Sequence, residues 1–364
     1  MSRYNRHIIL PEIGPKGQDK ISNAKVLVIG AGGLGCPVLQ YLTAAGVGSI
    51  GIINFDVVEL SNLQRQVLFG TVSLGKNKAT AAKERLQDLN SDISITTYPE
   101  ALTYQNAIDL FNQYDIIVDG SDNFETRYLV NDACIIAGKP LVFGAIYKFE
   151  GQVSVFNYQN GPSYRCLFPT PPQKDAVPNC SDIGVLGVLP GIIGSLQANE
   201  VLKLILSLGN VLSGKLLCYN ALNNHTSSLK IKRNSTIINK VLNSKDNFKQ
   251  QELNSNCEIN TSVSIQNIIQ KGNIQIIDVR EHNDFPKVDE LPVISVPLSA
   301  LQNELKSLNN NKKTYIFCQS GIRSKKATQF LKDQGIQNCY SIREGASEIK
   351  NYLEKHHKVK TNAK

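Results

Sequence analysis

Gly30-Ala31-Gly32-Gly33-Leu34-Gly35 fits the pattern G-x-G-x-x-G, directly after the apolar run 25–30 (KVLVIG) and before a helix-forming stretch. Glycines there let the backbone approach a phosphate, and the helix start offers unpaired N–H groups at the positive end of its dipole. Asp56, just past the next apolar run at 49–54 (SIGIIN), is placed to accept hydrogen bonds from ribose hydroxyls. These features alone specify an adenine nucleotide, and a NAD-dependent dehydrogenase is their ordinary reading. Charge separates the two nucleotide classes, because a dinucleotide needs few cations whereas a triphosphate needs several and a metal. Asn62 and Arg65 follow the acid, Lys78 comes next, and Ser121-Asp122-Asn123 follow the apolar run 115–120. Arg65 and Lys78 can neutralise phosphates, and Asp122 at the carboxyl end of a strand suits Mg²⁺. Each is an ordinary surface charge by itself; together they favour ATP.

A second chemistry lies near the other end of the chain. Cys318-Gln319-Ser320-Gly321-Ile322-Arg323-Ser324 follows the apolar run 315–317 and leads into a helical stretch. Backbone N–H groups curled around a sulfur, a helix dipole and the nearby Arg323 all favour a thiolate or an anionic persulfide. Gly321 permits the tight curl.

The elements that must position these groups can be read from the same sequence. The first half alternates short β-branched runs with helical stretches, which predicts a parallel sheet covered on both faces. Strands are expected at 25–30, 49–54, 115–120 and 140–144, with a helix over about 37–45. The stretch 151–157 alternates like an antiparallel strand, and 169–178 reads as a proline-rich loop. At 234–260 the composition turns to Asn, Ser, Lys and Gln, which reads as a linker. A flexible chain of roughly 25 residues spans only about 28 Å root-mean-square, so the tethered part stays close. From 262 a second, smaller α/β cycle is expected: a helix, strands at 274–278 and 315–317, a helix from about 324 and a strand at 339–342.

Composition narrows the function classes. At 364 residues with 41% hydrophobic side chains, two globular domains are the natural expectation. The formal charge of +8 owes part of its excess to lysines in the tail (Lys355, Lys358, Lys360, Lys364), and no arginine run interleaves with aromatics, so nucleic-acid binding is not expected. The N-terminus lacks a signal-like apolar stretch. The apolar segment 183–208 is interrupted by Gln197, Asn199, Glu200 and Lys203 and contains Pro190, so it reads as a buried helix rather than a membrane span. Eight scattered cysteines with no CxxC pair argue against a disulfide framework, and the expected compartment is the cytoplasm.

Between residues 3 and about 233 the sequence resembles the MoeB/ThiF family of ubiquitin-activating-type adenylyltransferases. The matching strings are RYNRHIIL at 3–10, GAGGLGCP at 30–37, NFD at 54–56, SNLQRQ at 61–66, DGSDNFETR at 119–127, EGQVSVF at 150–156 and GVLGVLPGIIGSLQANEVLK at 184–203. The resemblance implies a Rossmann-like fold that binds Mg–ATP. It also implies attack on the α-phosphorus by the C-terminal glycine carboxylate of a ubiquitin-like sulfur carrier ending in Gly-Gly. By position, Asp122 corresponds to the metal-holding acid, Arg65 and Lys78 to the phosphate clamps, and Asp56 to the ribose ligand. Asn62 and Asn123 stand beside them, with Gly30, Gly32, Gly33 and Gly35 as the loop. Arg6 corresponds to an arginine that reaches the neighbouring subunit's phosphates, which implies a functional homodimer.

Two departures matter. Relatives usually carry two CxxC pairs that bind a structural zinc. Here the first pair reads Ser163-Tyr164-Arg165-Cys166, and no cysteine follows Arg233-Asn234, so no zinc is expected. Cys180 falls where relatives place a cysteine on a loop near the adenylate. It reads either as a partner in a thioester or mixed persulfide or as a small buried cysteine. Cys36, Cys134, Cys218, Cys257 and Cys339 read as structural.

Residues 262–353 resemble a rhodanese domain through the Cys318 loop and Asp278-Val279-Arg280-Glu281, although the Gly-His-Ile-Pro-Gly-Ala string common in rhodaneses is replaced by 287–292 (KVDELP). The resulting expectation is an adenylyltransferase domain at 1–240, a linker at 241–261 and a rhodanese-like domain at 262–357. The first domain would activate the carrier. A persulfide on Cys318, loaded by a cysteine desulfurase or thiosulfate, would then convert the adenylate to a thiocarboxylate. The rival reading is a stand-alone rhodanese with an inactive nucleotide-binding domain.

Overall fold

The computed structural model describes residues 3–172, 184–251, 262–269, 274–281, 283–302, 304–305, 312–319 and 321–361. The chain divides into two compact units, Met1–Ser255 and Asn256–Lys364.

The first unit is built on an eight-stranded sheet with strand order β3-β2-β1-β4-β5-β6-β7-β8. The strands are β1 (Lys25–Ile29), β2 (Ser49–Ile53), β3 (Ser94–Tyr98), β4 (Ile116–Asp119), β5 (Leu141–Tyr147), β6 (Glu150–Phe156), β7 (Lys215–Asn220) and β8 (His225–Lys230). The first five run parallel, and β6 to β8 join as antiparallel neighbours. β1, β2 and β4 are apolar without alternation because helices cover both faces.

The helices are α1 (Asn5–Ile8), α2 (Gly14–Asn23), α3 (Gly35–Ala45), α4 (Lys78–Leu89), α5 (Ala107–Phe111), α6 (Phe124–Ala137), α7 (Tyr164–Leu167), α8 (Leu189–Leu206) and α9 (Ser235–Asn243). α3, α4 and α8 pack on one face around Leu39, Leu42 and Val201, whereas α5 and α6 pack on the other around Phe111 and Leu129. Pro190 lies in the first turn of α8, where its missing N–H costs the helix nothing. No helix among the described residues is long and apolar enough to cross a membrane.

The structure departs from the linker expected at 234–260. Asn234 caps α9 by accepting from the Ile237 N–H at 3.2 Å, and Ile238, Val241 and Phe248 are buried. Ile238 and Val241 pack beside Ile135 and Cys166, while the Phe248 ring meets Tyr104 edge-on with centroids 4.9 Å apart. The polar composition concealed a narrow apolar stripe three residues apart, which suffices once a partner surface exists. Residues 252–260 lie outside the described set, Cys257 among them.

The second unit carries a five-stranded parallel sheet of order β11-β10-β12-β13-β9. Its elements are β9 (Ser262–Val263), β10 (Ile274–Asp278), β11 (Val293–Ser295), β12 (Lys313–Phe317), α10 (Ile322–Asp333), β13 (Cys339–Ile342) and α11 (Ala346–Thr361). The helix expected from 262 is instead a two-residue strand paired with β13, followed by a 3₁₀ turn at Ile265–Asn267. Two residues are too few to show a period, so only the pairing partner defines that strand.

Candidate functional site

In the first sheet the winding reverses between β1 and β4, the switch point at which open α/β sheets bind ligands beyond their carboxyl ends. A cavity of about 980 Å³ opens there. Gly30, Gly32, Gly33, Asp56, Asn62, Arg65, Lys78, Asp122 and Asn123 all line it, although they come from four separate stretches of sequence.

The glycine turn is fixed by its neighbours. Gly30 has φ +89°, and a Cβ there would sit 3.0 Å from the Gly120 carbonyl oxygen. Asn54 accepts a hydrogen bond from the Ala31 N–H at 3.0 Å and ties the turn to the end of β2. Gly35 does not line the cavity; its Cα lies so close to the Gly30 carbonyl that a Cβ would stand 1.9 Å from that oxygen. Its work is therefore the close packing of α3 on β1. Gly35→Ala is expected to destabilise the first unit by about 3 kcal/mol or more through this overlap, read as a lowered midpoint in denaturant unfolding. An unchanged midpoint would show that the turn relaxes freely.

The charged groups are already arranged around one another. The Lys78 ammonium, with its residue only 7% exposed, pairs with the Asp56 carboxylate at 3.2 Å. The Arg65 guanidinium is held by the Ser61 carbonyl at 3.0 Å. Asp122 is exposed at the mouth of β4, where phosphate oxygens and water could complete a Mg²⁺ shell around it. Asn62 and Asn123 also have local duties. The Asn62 side-chain oxygen accepts from the Glu59 N–H at 3.2 Å, and that of Asn123 caps α6 by accepting from the Thr126 N–H at 2.9 Å.

Arg6 lies exposed on α1 and does not line this chain's cavity. Cys180 falls outside the described residues. Cys318 belongs to the second unit.

Behind the cavity lining stand residues that sequence reading passed over, and one of the group, Arg127, lines the cavity itself. Asp119 is fully buried at the end of β4, with one carboxylate oxygen accepting from the Ser121 N–H at 2.9 Å and the other lacking a protein partner. Burial pushes its pKa up, and the nearby Arg127 opposes that rise. Arg127 is 8% exposed and lies over the Phe124 and Phe143 rings, 5.4 and 5.6 Å from their centroids. Gln197 reaches from α8 to donate to the Asp119 carbonyl at 2.8 Å. Asp119 and Arg127 stand inside the string DGSDNFETR, but only the sheet reveals which of its acids is buried.

At the position where relatives usually carry the first zinc-binding pair, Cys166 is embedded in hydrogen bonds. Its sulfur accepts from the Ser163 N–H at 3.3 Å and the Asn234 N–H at 3.2 Å. Among the described residues no group of three or more His, Cys, Asp or Glu could hold a metal ion. Of the cysteines read as structural, Cys36 is buried with its thiol pushed up to about 12, and burial likewise raises Cys134, Cys218 and Cys339. Such thiols are poor nucleophiles.

In the second unit Cys318 directly follows β12, fully buried, with its sulfur 3.7 Å from the Ser324 hydroxyl. Ser324 in turn donates to the Gly321 carbonyl at 3.0 Å, closing the loop upon itself. Gly321 has φ +82°, the left-handed conformation that starts α10. The neighbouring Gln319 side chain accepts from Arg280 at 3.0 Å, and Arg280 grips Asp278 through two nitrogens, at 2.9 and 2.7 Å.

Comparison with known proteins agrees with this geometry. Residues 4–239 match the ThiF family, and residues 261–352 match the rhodanese-like domain. The sulfur carrier protein adenylyltransferase of Thermus thermophilus is 54% identical over 64% of this chain and 88% of its own length. The probable adenylyltransferase/sulfurtransferase MoeZ of Mycobacterium tuberculosis is 39% identical over 95% of this chain and 91% of its own. For the adenylyltransferase and sulfurtransferase MOCS3 of Xenopus laevis the identity is 53%, but this chain spans only about half of that protein, 51%. Among solved structures, that of E. coli MccB with ATP superposes with a TM-score of 0.56 at 26% identity, covering 64% of this chain and 72% of that one. The chain belongs to the ThiF family and carries a rhodanese-like domain behind its ThiF portion.

Proposed function

We propose that this enzyme adenylates the C-terminal glycine of a ubiquitin-like sulfur-carrier protein with ATP and then delivers sulfur to it from a persulfide on Cys318. The observation that carries the first step is the convergence of the glycine turn, Asp56, Arg65, Lys78 and Asp122 on one cavity at the switch point. The second step rests on the Cys318 loop and on relatives named for both activities over nearly the whole chain.

Nucleotide binding exchanges the internal ion pair for new partners. Lys78 leaves Asp56 for a phosphate, and Asp56 accepts from the ribose hydroxyls. Arg65 swings from the Ser61 carbonyl towards the phosphates. The glycine turn permits close approach, and Asp122 would hold Mg²⁺. The metal supplies charge neutralisation at the phosphates. No covalent enzyme group is needed, because positioning and charge stabilisation lower the barrier as the carboxylate attacks the α-phosphorus and pyrophosphate departs.

The terminal sulfur of the Cys318 persulfide then attacks the acyl carbon and AMP leaves, giving an acyl disulfide. Attack by a second thiol on the Cys318 sulfur releases the thiocarboxylate and leaves a disulfide for a cellular thiol to reduce. We assign the second thiol to Cys180. Tethering raises the donor's effective concentration without any new contact. A homodimer in which Arg6 serves the neighbouring subunit's site accounts for its place outside this chain's own cavity. We assign the protein to the cytoplasm, where its thiols stay reduced, and favour the molybdopterin-synthase type of carrier over the thiamine type.

ATP–pyrophosphate exchange tests the central claim. Exchange is expected with a carrier ending in Gly-Gly and is expected to vanish when its last glycine is removed. Exchange indifferent to that glycine would eliminate carboxylate adenylation.

A further inference from the structure

Two arginines beside the Cys318 loop, Arg280 and Arg323, are each answered by a carboxylate. Arg280 is 1% exposed and its guanidinium is consumed by Asp278, by Gln319 and by the Pro286 carbonyl at 2.9 Å. Arg323, five residues after the thiol, forms an ion pair with Asp284, its Nη1 2.8 Å from a carboxylate oxygen, and each side chain is about one-third exposed (35% and 34%). Asp284 is held in the turn after β10, its N–H donating to the Glu281 carbonyl at 2.9 Å. Arg323 keeps the Asp284 carboxyl below the usual carboxylate range, so that carboxylate stays charged at neutral pH. Gln319, Ser320, Gly321 and Ile322 between the thiol and Arg323 add no further cation. Gln319 itself is tied to Ser347 at 3.2 Å.

An anion approaching this thiol therefore meets an arginine whose charge is already answered. We propose that Asp284 is a specificity-determining residue. By neutralising Arg323 it biases Cys318 against the thiosulfate dianion and toward sulfane-sulfur donors of lower charge, namely persulfides of thiols. The inference rests on the sulfurtransferase reading above and deepens it. With either donor the Cys318 thiolate attacks the outer sulfur, its electron pair forms the new S–S bond, and the donor's own S–S bond breaks. Sulfite leaves from thiosulfate and a thiolate leaves from a persulfide, so no oxidant or reductant is required.

The test uses the full chain in steady-state sulfur transfer to cyanide, with thiosulfate or a monoanionic alkanethiosulfonate as donor. Asp284→Asn is expected to raise kcat/KM for thiosulfate about tenfold, the effect of one unit charge on the order of 6 Å from a dianion in a water-like dielectric. For the monoanion the expected rise is about threefold, half the effect on a logarithmic scale. Both gains shrink as salt is added, because screening acts within about 8 Å at physiological ionic strength. Asp284→Ala must give the same ordering of donors, and Asp284→Glu must restore the wild-type values. An equal change for both donors, or a fall in kcat/KM for thiosulfate, overturns the inference; the fall would mean that Asp284 only holds Arg323 in place. If the wild type turns over neither donor and forms no persulfide on Cys318, the sulfurtransferase reading itself fails, and this inference with it.

Discussion

Cys318→Ala is expected to reduce thiocarboxylate formation on the carrier to the level seen without enzyme, while glycine-dependent ATP–pyrophosphate exchange stays within about twofold of wild type. The two halves of this expectation come from separate units of the chain, each with its own core and sheet. Losing a thiol in the second unit removes no atom from the lining of the cavity at the switch point of the first. The substitution is also mild for the fold. Cys318 is fully buried in an apolar cluster with Ile316 and Ala327, and its one side-chain hydrogen bond among the described residues is a long one, 3.7 Å to Ser324, so alanine removes only a sulfur atom. Mass spectrometry of the carrier after a timed reaction distinguishes the carboxylate from the thiocarboxylate directly. If thiocarboxylate still accumulated with alanine at 318, sulfur would be reaching the adenylate from elsewhere. Cys36, Cys134 and Cys339 are poor candidates for that role, because burial raises their thiols and leaves little thiolate at neutral pH.

How much of this was legible in the sequence depended on whether a residue's role is local or assembled. The glycine turn, β1, β2 and β4 could be read because a run of β-branched residues followed by glycines reports its own backbone. Asp56, Lys78 and Asp122 could be placed in one site because each stands just past a strand or at a helix start, and a parallel sheet gathers such positions along one edge. That Asp56 and Lys78 bind each other was not legible, since their 3.2 Å contact depends on how α4 is set against the end of β2. The duties of Asn62 and Asn123 as local hydrogen-bond acceptors fit known capping preferences, yet the functional motif drew attention away from them. Asp119 stood three residues from Asp122 in the same string, and only burial separates the two. α9 was missed because its apolar stripe is two residues wide and gains meaning from Ile135 and Cys166, far away in sequence. The Arg323–Asp284 pair likewise joins α10 to the turn after β10 and leaves no periodic signal.

The contrast between Asp119 and Asp122 yields the second large expectation. Asp122→Ala should lower carrier-dependent ATP–pyrophosphate exchange by about 10²–10³-fold, the scale on which one preorganised charge at a reacting phosphate acts. Its side chain is exposed at the cavity mouth, so the unfolding midpoint should move little. Asp119→Ala should do the reverse in kind. It removes a buried carboxylate that accepts from the Ser121 N–H and faces Arg127, leaving an uncompensated cation in the interior. Its main effect should therefore be a loss of stability of about 3 kcal/mol or more, with activity falling only as the fold is lost. Asp122→Glu, which keeps the charge but displaces it by a methylene, should recover part of the exchange rate and shift its Mg²⁺ dependence to higher concentration. Exchange rates and denaturant midpoints measured on the three variants separate the roles. If Asp122→Ala exchanged at the wild-type rate, the metal would have to be held by other groups. The charge logic that favours a triphosphate over a dinucleotide would then rest on Arg65 and Lys78 alone.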